Sequence, residues 1–262
     1  MRRLLATAAA SLAACVHAES YQVLPADPQA GETVAITLSV PPWAGATCVL
    51  QPQLDAQLND RQIVVVVDAS APARPPGAVG WCRGGAAIAL PQAGHYSVRV
   101  PPLVSQTNPS TLTTGGSVDF DVTASTESPP AWRGLDGNWF DPAQPGWGVN
   151  FVQGDSGALF AVLLTYKDAR GTDGRPLSLS SQGSDWLVMP AGRWTTPTTF
   201  RGALFTTTNA SFVVGAGAPA ASAVGFATLQ FADASHVKLS AQYLTPTGAM
   251  LQRDANLQRF SF

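Results

Sequence analysis

The 262-residue chain is poor in charge: Asp, Glu, Lys and Arg make up only 12% of it, about half the usual share. Lysine occurs twice, at Lys167 and Lys238, and no run of Lys or Arg is present. With a net charge of −2 and a pI near 5.8, the chain lacks the basic footprint of a nucleic-acid binder. Histidine is scarce (His17, His95 and His236), cysteine is limited to Cys15, Cys48 and Cys82, and no glutamate follows Glu127. These shortages leave little material for a metal centre, a cofactor site or an acid–base pair, and none is expected. The apolar stretch Leu4 to Val16, broken only by Thr7 and Ser11, is too short to span a bilayer. No transmembrane segment is therefore expected once the leader is removed.

That leader has the features of an export signal. Arg2 and Arg3 precede the apolar run, and Val16-His17-Ala18 fits a small-residue cleavage site. Leu12-Ala13-Ala14-Cys15 also has the form of a lipobox, which would make Cys15 a lipidated N-terminus. Strand-like sequence begins by Tyr21 and leaves almost no tether, which favours simple secretion over the lipoprotein. The expected location is periplasmic or secreted, with an outer-membrane lipoprotein as the alternative. In an exported chain the remaining pair, Cys48 and Cys82, predicts one disulfide. It would close a loop of 33 intervening residues, worth roughly 3–4 kcal/mol on the chain-entropy account.

What the chain has in quantity is apolar residues (45%), 24 glycines and 21 prolines, a composition of short strands and turns. Between 19 and 125, Val34, Ile36, Leu38 and Val40 alternate with Ala35, Thr37 and Ser39, predicting one buried and one exposed face. Gln62 to Val67 reads as a central strand, and Tyr96–Val100 and Val118–Val122 alternate. About seven strands are expected there, as in an immunoglobulin-like β-sandwich. A polar, proline-ended stretch at 126–131 reads as a linker. From 132 to 262, eight or so strands in hairpin sequence predict a meander β-barrel, since closure removes exposed edges; a second sandwich is the alternative. The fold class expected is all-β.

Two resemblances add to this reading. ALPQAGHYSVRV (Ala89 to Val100) and LPADPQAGETVAITLSV (Leu24 to Val40) resemble strands and turns of bacterial immunoglobulin-like domains. WFDPAQPGWGVNF (Trp139 to Phe151), QGD (Gln153 to Asp155), LFA (Leu159 to Ala161), TYKDA (Thr165 to Ala169), DGRP (Asp173 to Pro176), WLVMPAGRW (Trp186 to Trp194) and RFSF (Arg259 to Phe262) resemble a β module of secreted proteobacterial proteins. The second resemblance implies export and modular architecture, and carries no catalytic residue. The chain departs from that module at LSLSSQGSD between Pro176 and Trp186, which predicts a longer loop.

The tetrapeptide Gly154-Asp155-Ser156-Gly157 has the letters of a serine-protease nucleophile loop. Such an enzyme needs a His oriented by an Asp, and no His lies in a suitable context. The expected role is a hairpin turn with positive φ at the glycines. The Asp residues of the barrel fall where turns are expected, so a glycosidase pair is not favoured. Asp168 and Asp173 lack the dense oxygen pattern of a calcium loop. Tryptophan is the remaining signal, with five of the seven between Trp132 and Trp194. Core packing explains them first. The functional expectation is that Trp139, Trp147, Trp186 and Trp194 stack a flat ligand at the barrel mouth, with Asn150, Gln153 and Arg193 as polar contacts. No catalytic residue and no metal ligand is assigned. The expected function is an exported, non-catalytic binding or adhesion module whose partner is a cell-envelope component or glycan. A small-ligand carrier using the barrel mouth is the alternative, and a hydrolase using Ser156 or an Asp pair comes last.

Overall fold

The computed structural model describes residues 20–39, 54–67, 83–102, 115–166, 184–208, 220–246 and 248–260. Cys15, Cys48, Cys82, Asp168, Asp173 and the leader 1–18 lie outside them. The described chain is all-β. The first half holds β1 (Ser20–Leu24), β2 (Thr33–Ser39), β3 (Leu54–Asn59), β4 (Gln62–Val67), β5 (Arg83–Ala89), β6 (Gly94–Val100) and β7 (Gly116–Val122). They form two sheets, β1-β2-β5 and β3-β4-β6-β7. Val34 and Ile36 of one sheet pack against Ile63, Val65, Tyr96, Val98 and Val122 of the other, which makes the pair a β-sandwich with one shared core. The strand count matches the immunoglobulin-like expectation, with one departure: β4 and β6 run parallel.

The second half holds β8 (Gly137–Phe140), β9 (Gly148–Gln153), β10 (Leu159–Tyr166), β11 (Ser184–Met189), β12 (Arg193–Thr196), β13 (Thr199–Thr208), β14 (Ala220–Phe231), β15 (His236–Leu244) and β16 (Met250–Arg259). Eight of these close into a barrel. The ladder β11-β10-β9-β8-β16-β15-β14-β13 is sealed by the pairing of Leu187 with Thr206 and of Val188 with Phe205, and β12 continues that seam along the same edge of β13, opposite Phe200 and Arg201. Closure pairs the strands around the ring, with β8 meeting β16 at Gln258 and Arg259. Alternation along each strand sends Trp139, Val149, Phe151, Leu163, Leu187, Phe200, Leu229, Leu239 and Leu257 inward, where they form a continuous core.

One end of the barrel is capped by the chain that enters it. Ser128 N–H donates to the Trp194 carbonyl and Ala131 N–H to that of Pro197. Leu135, fully buried, joins the barrel core, and Trp132 packs against it. The Gln153 side chain accepts from Leu135 N–H and donates to the Trp132 carbonyl, both at 3.2 Å. Residues 126–131, expected as a linker, thus lie along the barrel with their backbone partly hydrogen-bonded to it.

The sandwich sits directly on the barrel wall. The β2 face expected to be exposed is covered, with Ala35 at 0% and Thr37 at 1% exposure. Ala35 and Leu24 pack on Ala203, Ala223 and Phe226 of β13 and β14. Gly85 of β5 lies so close to the barrel that a Cβ there would fall well inside van der Waals contact of the Ala223 carbonyl oxygen. Only a glycine admits that approach. Ser222 Oγ donates to the Gly85 carbonyl at 3.1 Å, and Arg83 reaches the Leu244 carbonyl at 2.6 Å.

Candidate functional site

The expected turn at 154–157 is a turn. Gly154 N–H donates to the Ala158 carbonyl and Gly157 N–H to that of Gly154, at 2.9 and 2.8 Å. Only Gly157 takes positive φ (88°), because it alone closes the reverse step, which corrects the expectation that both glycines would. The Ser156 hydroxyl accepts from Ala158 N–H at 3.4 Å, and Arg133 donates to the Asp155 carbonyl. His236 lies beside Asp233 instead, with Nδ1 3.0 Å from a carboxylate oxygen. The Ser235 N–H and then the His236 ring hold the Asp233 carboxyl below its usual range. No cluster of three or more His, Cys, Asp or Glu side chains occurs among the described residues, and no helix there is long and apolar enough to cross a membrane.

The four tryptophans singled out in the sequence do not converge on a mouth. Trp139 is 1% exposed, donates its indole N–H to the Leu135 carbonyl at 3.2 Å, and packs on Phe151 and Phe231. Trp194 is buried beside Phe200 and Phe231, and its N–H reaches the Gly157 carbonyl at 2.7 Å. Trp147 is half-buried under the Arg253 guanidinium, 4.6 Å from the ring centroid. Trp186 stands on the outer surface, 59% exposed. Of the polar candidates, Asn150 is on the outer wall, its Nδ2 donating to Asn138 Oδ1 at 2.9 Å. Gln153 belongs to the cap. Arg193 belongs to the sandwich–barrel interface, donating to the Ala30 carbonyl and the Ser125 hydroxyl, with Glu127 at 3.4 Å.

Two arrangements emerge that residue types alone do not signal. The first is a buried ionic cluster between sandwich and barrel. Glu32 is 2% exposed; one carboxylate oxygen accepts from Gln29 N–H at 2.8 Å and the other lies 3.4 Å from Arg201 Nε. Arg201 also donates to Asp27 at 2.8 Å. Burial pushes the Glu32 carboxyl above its ordinary value, against the opposing pull of the Gln29 N–H and of Arg201 and Arg193. Such a cluster fixes how two surfaces meet more than it adds net stability.

The second is an uncovered apolar wall. On the outside of β9, β10 and β11, Val152 (51% exposed), Phe160 (39%), Leu164 (40%) and Trp186 (59%) all face outward. Val152 pairs with Phe160, and Leu164 with Trp186. Between these rows Asn150, Val162 and Val188 lie side by side. Phe140 of β8 extends the surface and meets the exposed Phe260 ring at 5.8 Å, edge to face. No ionisable residue is among the described outward side chains of β8–β11. Strand parity was the signal available for this wall: Trp186 and Val188 alternate with Leu187 and Met189, so one pair had to face out.

No family model, no curated protein and no solved structure matches the chain.

Proposed function

We propose that the protein is an exported, non-catalytic binding module acting at the cell surface or in the periplasm. The observation that carries this reading is the uncovered apolar wall of β9–β11, centred on Leu164 and Trp186. Contiguous exposed apolar surface on a folded domain marks an interaction site, and the sandwich, docked on β13 and β14, leaves this one uncovered. The export-type leader and the resemblance to immunoglobulin-like domains and to a secreted proteobacterial module support the location. The non-catalytic part rests on the dispersal of the reactive groups. Ser156 accepts from a turn amide, and the His236 ring is engaged by Asp233 in another turn.

The test is retention of the purified mature protein on cell-envelope fractions of Gram-negative bacteria. The native protein is expected to co-sediment, and a Leu164→Ser/Trp186→Ser double variant to lose at least about tenfold in apparent affinity, the effect of removing an interface anchor. Equal retention of both proteins would remove the wall from the reading, and no retention of either would remove the reading itself.

A further inference from the structure

We infer that the outer wall is a track for a neutral, linear glycan, running along one hydrogen-bonded row of the barrel; this rests on the binding-module reading above. The row is His236, Gln258, Phe140, Gly148, Leu164 and Trp186. Each is the direct register partner of the next, across β15, β16, β8, β9, β10 and β11. The neighbours of these residues along each strand, Val237, Leu257, Trp139, Val149, Leu163 and Leu187, are buried inside, so the whole row points outward. From Phe140 to Trp186 three inter-strand steps at roughly 4.8 Å give a surface path of about 14 Å on one side of the ring, enough for two or three sugar units, and the steps on to His236 carry the row around the barrel.

The chemistry along the row alternates. Trp186 and Leu164 form one apolar platform, and Phe140 against Phe260 forms a second. Between them Gly148 has no side chain, so the surface dips. Beside the dip the Asn138 and Asn150 amides are bonded to each other through one N–H and one oxygen; each keeps further donor and acceptor capacity. At the far end a shallow depression of ≈510 Å³ is lined by Ser235, His236, Gln258, Arg259 and Phe260. Apolar platforms flanked by amides suit a pyranose ring, which offers a C–H face for stacking and hydroxyls at its rim.

Two observations select against other occupants. The described outward side chains of β8–β11 carry no ionisable group, so a charged polymer gains nothing along most of the path. From Gln258 to Leu164 each residue of the row is already paired on both sides, so an extended peptide finds no free strand edge along that part of the row to which it can add.

The experiment uses the mature full chain in native affinity gels containing mixed-linkage β-glucan, xylan, galactomannan or dextran, with cellulose and chitin in pull-downs. At least one neutral glycan is expected to retain the protein. That retention persists in about 0.5 M NaCl, because screening does not touch a neutral contact. Trp186→Ala and Phe140→Ala each weaken it about tenfold, and Trp186→Phe restores most of it. A circular-dichroism melt of each variant checks the fold. Failure on every neutral glycan, with Trp186-dependent retention on envelopes intact, overturns the glycan assignment and leaves the binding module standing. Failure on both removes both readings. Trp186-dependent dimerisation in sedimentation runs, without glycan binding, assigns the wall to a second copy of the chain and also overturns the proposal.

Discussion

The barrel treats two sides of its outer surface in opposite ways. The β13–β14 wall presents Ala203, Ala223 and Ser222 beside the single buried ring of Phe226, and lies under the sandwich sheet β1-β2-β5. The β9–β11 wall, which begins at the strand paired with β13, is faced with Val152, Phe160, Leu164 and Trp186 and lies under nothing among the described residues. Small side chains let two sheet faces approach until backbone meets backbone, as Gly85 and Ala223 do. Large apolar side chains prevent that approach and leave rings and methyls standing proud. On the binding-module proposal, the covered wall holds one intramolecular partner and the open wall takes a separable one.

The largest expected effect comes from forcing the covered wall apart. A Gly85→Ala substitution drives a methyl into the Ala223 carbonyl, so the sheets must separate along β5 and β14. Overpacking of this kind costs about 3 kcal/mol, a fall of roughly 6–12 °C in the thermal transition for a chain of this size. Differential scanning calorimetry checks it. An unchanged transition would mean that the sandwich and barrel are not docked as described.

A smaller, pH-dependent effect belongs to the same interface. The folded-state value of Glu32 is raised above the ordinary 4.5, chiefly by burial. The folded state therefore holds the proton more tightly than the unfolded chain does. The associated stability is fully present below about 4.5 and is lost as pH rises through the raised folded value. Melting temperatures of the native protein and Glu32→Gln, followed upward from pH 4, are expected to diverge, the native protein losing ground as Glu32 ionises. Parallel curves would show that Glu32 is not the buried group described. Burial of an ion pair between two docked surfaces thus tunes the covered wall, and among the described residues the open one has no buried ion pair.

How far the sequence revealed these two walls follows from what alternation reports. The patterns Ala227-Leu229-Phe231 and Val237-Leu239-Ala241-Tyr243 correctly mark inward faces, because each has a polar or exposed counterpart one residue away. Strand β2 reads as half-exposed for the same reason, yet Ala35 and Thr37 are buried. Alternation identifies one apolar face and is silent on whether a second surface, itself made of alanine and glycine, covers the other. β12, four residues with a bulge between Trp194 and Thr196, is too short for any period to register. The tryptophans were legible as important but not as inward or outward. Trp139 and Trp194 are core and Trp186 is not, a distinction carried by strand register. The charged cluster of Glu32, Arg201 and Asp27 joins residues about 170 positions apart, and no local pattern anticipates it.

The smallest expected effect is also the sharpest test of the comparison. Trp186→Ser removes the most exposed large ring on the open wall, and its partner Leu164 is itself 40% exposed. Little packing is lost, so stability is expected to change by no more than about 0.5 kcal/mol, as for other surface substitutions. Phe226→Ala on the covered wall removes a ring 5% exposed that lies among Leu24, Ala35 and Ala223 and under the Arg201 guanidinium. That change is expected to cost about 3 kcal/mol. Chemical denaturation of the two variants side by side measures the difference. Comparable losses from both would mean that the open wall is covered in solution, and that its partner is already part of the folded molecule.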